Sequence, residues 1–503
     1  MAAGLQRGET VGLVFPTGRR LVETFFGVAL AGGIPTCLAP PPRLASSRGF
    51  ADRVPRMLRS IAARLVLVDP PIAHRVDELI SGSSVRCAAP DDVPVLGAGP
   101  APTPGFEEVA LIQFTSGTTL LPKPVALSHE AVGSQARLLN SMWPDTPTTE
   151  HRGVTWLPLH HDMGLIGCLM TAVERPGELT LLPPELFAAK PALWLRALSS
   201  TRATVSAASN FALAYCSDRI RDRELVGVDL SHWRIALNGA EPISPRVMRR
   251  FSERFVPWGF RPEALTPVYG LAEATLAVTF SDLERPFNSR RFDRGCLATG
   301  RRVRESPQGV ELSSVGRSVS IAEVEIRDAT RRALEPGTVG RIWVRGPSLM
   351  SGYYRQPRAT REVLIDGWLD TGDRGFLHEG ELYVSGRDKE VIIVRGSNHS
   401  PSELEDAAVR VDGVAVGGAA AVAHRPDGSE REEVLLFVER TQGPASRIED
   451  DCRREVLAGT GLEVDRIIVL PGSRLPRTSS GKVRRAATLR RYLEGTLAVE
   501  PRP

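Results

Sequence analysis

Nothing in this sequence marks a metal cluster or a disulfide framework. Its six cysteines, Cys37, Cys87, Cys168, Cys216, Cys296 and Cys452, are scattered without a Cys-x-x-Cys pair, which excludes zinc-finger spacing and fits a reducing cytoplasm best. Charge of one sign is missing as well. The formal net charge is +4 with both signs interspersed, so there is no basic stripe for nucleic acid and no acidic tail. Long apolar runs are also absent. The most apolar early segment, Leu21 to Pro42, carries Glu23, several glycines and four prolines, which suits a helix packed on a sheet rather than a membrane span. No basic cluster with a cleavage site precedes it, and Thr10 to Phe15 reads as a strand running into Pro16-Thr17-Gly18. The chain is therefore expected to begin inside a fold, with no leader.

What is there is a large soluble chain. With 503 residues and 42% apolar content, it has room for about two or three domains with substantial cores. Strand-like segments at Arg64 to Val68, Val109 to Phe114, Leu179 to Leu182 and Arg234 to Leu237 alternate with helix-like ones, as in an α/β region extending to about Phe280. From Glu323 to Arg345 short β segments take over. Glu379-Gly380 is a two-residue hairpin turn. After Lys389, Glu390 to Val394 reads as a strand opening a compact α+β unit, in which Ser473 to Arg485 is expected as a mobile loop or one ordered only by a ligand.

The stretch Thr115-Ser116-Gly117-Thr118-Thr119-Leu120-Leu121-Pro122-Lys123-Pro124-Val125 follows a buried apolar run and resembles a phosphate loop short of glycines. Its hydroxyls and N–H groups can hold a polyphosphate at a strand end. A Walker-type loop is excluded, because that loop needs a Gly before a Lys-Ser/Thr pair opening a helix, and Lys123 stands between two prolines. Taken alone, the stretch reads more readily as a polar surface turn.

Five further blocks follow in order: Trp156-Leu157-Pro158-Leu159-His160-His161-Asp162-Met163-Gly164; Asn238-Gly239-Ala240-Glu241-Pro242; Val268-Tyr269-Gly270-Leu271-Ala272-Glu273-Ala274-Thr275; Asp370-Thr371-Gly372-Asp373 through Gly386-Arg387-Asp388-Lys389; and Leu475-Pro476-Arg477-Thr478-Ser479-Ser480-Gly481-Lys482. Together they resemble the core motifs of the adenylate-forming superfamily of acyl-CoA synthetases, peptide-synthetase adenylation domains and luciferases. The wording of the His-His-Asp-Met-Gly, Asn-Gly-Ala-Glu-Pro and Tyr-Gly-Leu-Ala-Glu-Ala-Thr blocks, and of Arg395-Gly396-Ser397-Asn398-His399, is closest to fatty acyl-AMP ligases.

The resemblance implies an α/β N-terminal adenylating domain, residues 1–388, of two α/β subdomains plus a small β subdomain, and a smaller mobile α+β C-terminal domain, residues 389–503, with Lys389 at the hinge. It implies ATP and Mg2+ as cofactors and a small-molecule carboxylic acid as substrate. Lys482 takes the role of catalytic lysine, bridging the α-phosphate and the attacking carboxylate. Glu273, with Thr118, is the magnesium position. Asp373 and Arg387 hold the ribose or phosphate, Tyr269 and Gly270 flank adenine, and Asn238, Gly239, Ala240 and Glu241 line the base. Thr115, Ser116, Gly117, Thr118, Thr119 and Lys123 contact the phosphates. His161 is a substrate-side candidate; His160 and His161, read as neighbours on a strand, point to opposite faces and do not build a metal site with Asp162. Met163, Ile166, Cys168, Leu169, Phe211 and Ala212, with small residues at Ala207, Ala208 and Ser209, are expected around an apolar acyl pocket.

The family pattern is broken in two places. Leu120 and Pro124 replace glycines of the phosphate loop, forbidding close backbone approach and removing a donor, so ATP handling is expected to be unusual. Family members also carry several tens of residues ahead of Arg7-Gly8-Glu9-Thr10-Val11; either the start lies upstream or one edge of the first subdomain is less covered. The connection Leu276 to Ser314 resembles the insertion that separates acyl-AMP ligases from CoA ligases. It favours an acyl carrier protein thiol as acceptor over free CoA. A CoA ligase and a catalytically silent acyl- or nucleotide-binding protein remain as alternatives.

Overall fold

In the computed structural model the described residues are 5–41, 48–93, 103–115, 122–143, 151–390, 392–394, 397–426, 433–478 and 481–499. Among them no helix is long and apolar enough to cross a membrane. Four parallel strands in the order Ile34–Leu38, Thr10–Val14, Leu65–Val68, Arg86–Ala88 open the fold. Leu21 to Pro42 is not one helix: the helix Arg19–Leu30 stops before Gly32, whose φ of +77° ends it, and the chain returns as a buried strand.

A seven-stranded sheet follows in the order Arg317–Ser318, Ala277–Phe280, Leu265–Gly270, Ile235–Asn238, Val205–Ala208, Arg152–Thr155, Glu178–Leu181. Its last five strands are parallel, so their C-terminal ends point the same way and gather the loops that follow them into one crevice. This sheet is covered by Trp194, Phe251 and Phe255 from flanking helices and by Trp233 and Phe260 from connecting loops, all almost completely buried; burying each contributes roughly 1.5–3 kcal/mol. The hydroxyl-rich loop does not lead into a helix. It joins Val109–Phe114 to Pro124–Ser128 as an antiparallel hairpin, and Pro124 sits at the first position of its strand, where a missing N–H is tolerated.

The β region expected after Glu323 is an antiparallel sheet containing Glu323–Arg327, Gly340–Arg345, Trp368–His378 and Glu381–Arg387. Its hairpin turns at Glu379 and Gly380, both at positive φ (53° and 79°), as a type I′ turn requires. Beyond the short turn Asp388–Glu390, the chain forms Ile392–Val394, the helix Pro401–Ala408 and a sheet of Val414–His424, Glu433–Arg440 and Arg466–Pro471. This C-terminal part has its own core around Leu404, Leu436 and Val456.

The expected mobile loop at Ser473 to Arg485 is tied down over its described residues. Leu475 N–H donates to Glu439 Oε1 at 2.6 Å, Arg477 pairs with Glu439 at 2.8 Å, and Thr478 N–H donates to Lys482 O at 2.8 Å. Glu439, almost fully buried, thus acts as the loop's anchor.

Candidate active site

The crevice at the strand ends opens into a cavity of about 1080 Å³. After Arg152–Thr155 the chain turns through His160 and His161, held by Gln113 Nε2 donating to His160 O at 2.6 Å, and enters a π-helical stretch Met163–Met170. Such stretches cluster at functional sites. Asp162 caps it, accepting from Met163 N–H at 2.8 Å. Gly164 is required there, because a Cβ would lie 2.4 Å from Pro158 O.

The two histidines do not point to opposite faces. They occupy a turn rather than a strand, with ring centroids 4.8 Å apart. Burial, aided by the charge of Arg53, pushes His160 down to about 3. Burial also drives His161 well below its ordinary value, with His160, Lys482 and Arg53 adding to the effect, so both rings are neutral at pH 7. His161 lines a separate small pocket rather than the large cavity.

Across the cavity, Tyr269 Oη donates to Asp373 Oδ2 at 2.8 Å and Arg387 Nε donates to Asp373 Oδ1 at 2.8 Å. Each oxygen keeps a second lone pair for a ligand hydroxyl. Asp373 raises the guanidinium pKa of Arg387 against the effect of burial, while burial, helped by Asp373, lifts that of the Tyr269 phenol. Glu273 Oε1 accepts from Tyr353 Oη at 2.9 Å, and Lys123 Nζ lies 4.3 Å above the Tyr353 ring. Burial raises the Glu273 pKa, and nearby Asp162 raises it further; burial raises Asp162 as well.

No cluster of three metal-ligating side chains occurs among the described residues. Glu273 and Asp162 instead both line the cavity, and one or two carboxylates with phosphate oxygens are what magnesium takes.

Lys482 reaches this cavity from the C-terminal part. Burial lowers its pKa, opposed by the carboxylates of Asp162 and Glu241. Gly481, at φ +89°, brings the loop against Phe211, where a Cβ would meet the ring at 2.5 Å; Arg477 stacks over the same ring at 5.2 Å. Phe211 is thus a docking surface rather than an acyl contact.

Of the residues expected to line the base, only Ala240 faces the cavity. It holds a left-handed φ of +72°, strain of the kind found at functional sites. Glu241 instead accepts from Phe211 N–H at 2.5 Å, capping the helix Asn210–Arg219. Asn238 is fully buried, with both amide atoms unpartnered among the described residues. Tyr269, Gly270, Glu273, Arg387, Thr115 and Lys123 all line the cavity. Ser116, Gly117, Thr118, Thr119, Leu120 and Leu121 lie outside the described residues.

On the acyl side Met163, Cys168 and Ala207 face the cavity, together with Trp143, Leu276 and Phe280. Ile166, Leu169 and Ala212 are core residues instead. The same cavity ends among polar groups, where Arg152 pairs with Glu178 at 3.3 Å.

Three contributors were missed from sequence. Tyr353 carries no motif around it. Asp162 stands inside a quoted block, where the sequence offers it only as a partner of His160 and His161 in a metal site. Phe211 was read as apolar lining, and its pairing with glycines of the C-terminal part has no linear signal.

Comparison with known proteins agrees with this geometry. The family model described as AMP-binding enzyme matches residues 1–354. A 4-hydroxyphenylalkanoate adenylyltransferase of Mycobacterium tuberculosis is 33% identical over 524 residues, covering 97% of this chain and 82% of its own length. A medium-chain fatty acid–acyl carrier protein ligase of Moorena producens is 31% identical, covering 98% and 87%. Among solved structures, a chain from work on fatty acyl-adenylate ligases of E. coli and L. pneumophila superposes with TM-score 0.90 at 30% identity, covering 98% of this chain and 89% of that one. A fatty acyl-adenylate ligase of L. pneumophila in complex with acyl adenylate and pyrophosphate gives TM-score 0.73 at 29% identity, covering 99% and 88%. With its motif residues drawn together at one crevice and relatives spanning nearly its whole length, this chain belongs to the AMP-binding family of adenylate-forming enzymes.

Proposed function

We propose that the protein activates a hydrophobic carboxylic acid with ATP and passes the acyl group to the phosphopantetheine thiol of a carrier protein. In the first step a carboxylate oxygen bonds to the α-phosphorus, the bond to the bridging oxygen of the β-phosphate breaks, and pyrophosphate leaves. In the second, the thiolate attacks the acyl carbonyl, the mixed-anhydride bond breaks, and AMP departs. The observation that carries the reading is Lys482, brought by the C-terminal part into one cavity with Tyr269, Glu273 and Arg387.

Within that reading Asp373, positioned by Tyr269 and Arg387, accepts from the ribose hydroxyls. Lys482 meets charge growing between the α-phosphate and the attacking carboxylate, where a fixed cation in a dry site is most effective. Magnesium would be held by Glu273, with Asp162 lining the same cavity, and would supply charge neutralisation at the phosphates. His161, neutral and behind the lysine, orients rather than donates charge. The turn Asp388–Glu390 serves as the hinge that carries Lys482 in and out, dividing the chain into 1–388 and 389–503. Arg341 and Arg374 hold Asp388 on the N-terminal side at 3.1 and 3.6 Å.

The carrier thiol is favoured over CoA by the insertion. Its strands Ser289–Phe292 and Val310–Ser313 pack through Phe292 on Phe376 and Tyr383. Its Arg294 pairs with Glu403 and donates to Gly459 O at 3.1 Å, both in the C-terminal part. Such a strap opposes rotation away from the adenylating pose. The setting expected for this chemistry is cytoplasmic. Incubation with ATP, an apolar acid and either holo carrier protein or CoA tests the assignment: a carrier thioester supports it, a CoA thioester makes the protein a CoA ligase, and binding of AMP without any pyrophosphate release makes it a silent binding protein.

A further inference from the structure

A second, smaller pocket of about 50 Å³ lies behind the large cavity. It is lined by Arg53 from the helix Arg48–Ser60, Arg484 beside the catalytic-lysine loop, Thr115 and Pro122 at the two described ends of the hydroxyl-rich loop, Thr478 and the two histidines. Arg53 sits on an otherwise apolar helix face whose neighbours Val54, Met57 and Leu58 are buried, and its Nε has no partner among the described residues. No carboxylate among the described residues pairs with either arginine. The stretches 42–47, 116–121 and 479–480, which adjoin the pocket in sequence, contain no Asp or Glu; the side chain of Asp52, next to Arg53, lies outside those described.

A partly buried cation without a counter-charge is costly, and a second one lining the same pocket adds to that cost. Burial draws down the pKa of both guanidinium groups, and the charge of Arg53 lowers that of Arg484 further. The pocket's chemistry, two guanidinium forks with hydroxyls of Thr115 and Thr478 nearby, is complementary to a phosphoryl group.

We propose that Arg53 and Arg484 bind the terminal phosphoryl group of the nucleotide, and of the pyrophosphate it releases, across the boundary between the N-terminal and C-terminal parts. This rests on the adenylating reading above. It supplies donors beside a phosphate loop in which Pro124 removes one N–H. It also makes the anion a clasp: while the phosphoryl group is present the two arginines are neutralised and Lys482 stays over the cavity; once pyrophosphate leaves, their repulsion favours release of the C-terminal part for the second step.

The test is calorimetric titration of the full chain with pyrophosphate, with and without magnesium, and separately with AMP and with CoA, for wild type, Arg53→Gln, Arg484→Gln and the double variant. Each single change is expected to weaken pyrophosphate about tenfold or more, as loss of a charged hydrogen bond does, with non-additive losses in the double variant and AMP affinity kept within about twofold. Retained AMP binding also shows that the variants fold; if both glutamines abolish it, Arg53→Lys and Arg484→Lys carry the same comparison. Unchanged pyrophosphate affinity, no pyrophosphate binding by wild type, or losses confined to CoA would each overturn the proposal, the last by assigning the arginines to a phosphopantetheine phosphate. Pyrophosphate binding that depends on both arginines, in a protein that forms no adenylate from any acid, keeps the anion site and removes the adenylating reading.

Discussion

The two ends of the candidate nucleotide site are built differently. At the nucleoside end Asp373 is gripped by Tyr269 and Arg387, and Glu273 by Tyr353, so every charged group has its partner in place. At the polyphosphate end Arg53 and Arg484 face a small pocket without a described counter-charge, beside a loop in which Leu120 and Pro124 stand where glycines are expected. One end is preorganised and the other is completed by its ligand. On the proposed reading, that contrast would place discrimination of the nucleoside in rigid geometry and couple departure of the leaving group to domain movement.

The largest effect that would break the contrast is at the junction of the two ends. Lys482→Ala is expected to lower acyl-adenylate formation by about a thousandfold or more, with ATP binding largely retained; adenylate formation at the wild-type rate would remove the lysine from the proposed chemistry. Asp373→Ala comes next. It deletes the ribose acceptor and strands Arg387 and Tyr269, so the KM for ATP should rise about ten- to a hundredfold while kcat with saturating ATP falls less. An equal fall in kcat would mean that the nucleoside end contributes to the transition state rather than to binding.

How far these residues could be found in the sequence depended on how rare their types are. The chain has only four lysines, Lys123, Lys190, Lys389 and Lys482, and a lysine inside a Ser-Ser-Gly run stands out. Nearly all of its 63 basic residues are arginines, so Arg53 and Arg484 are invisible until folding brings them to one pocket. The hairpin at Glu379-Gly380 was readable because two-residue turns demand positive φ. The faces of His160 and His161 were not, because period-two reasoning fails once the chain leaves the strand at Thr155. Leu21 to Pro42 misled for a similar reason: composition excluded a membrane span, but a Gly pair inside an apolar run divides helix from strand without changing its hydrophobicity. Ile166 and Leu169 show the remaining limit, since apolar core and apolar substrate lining have one composition.

Smaller effects would sharpen the coupling between the two parts. Arg294→Ala removes the strap to Glu403 and Gly459 and should raise any CoA thioester formation a few-fold relative to carrier loading, read by mass spectrometry of both products; surface-type pairs of this kind contribute up to about 1 kcal/mol. The smallest effect is a pH dependence at Asp406, which lies where the C-terminal part meets Arg246. Burial raises it from 3.8 to about 6 despite Arg246 and Arg410 nearby. The docked state therefore keeps a proton that the undocked or unfolded state loses, and stability associated with that proton is present at the acid end and lost as pH rises through 6. Between pH 5 and 7 the wild type should lose on the order of 1 kcal/mol of docking stability relative to Asp406→Asn, measured by paired thermal melts.

The most direct test of the account is a pyrophosphate-release screen of the full chain with ATP, magnesium and a panel of fatty, aromatic and polycyclic acids, with acyl-AMP measured in the same samples. The expected result is release stimulated by at least one apolar acid, matched mole for mole by its acyl-adenylate and lost in Lys482→Ala. Binding of AMP with no acid-dependent pyrophosphate release would contradict it.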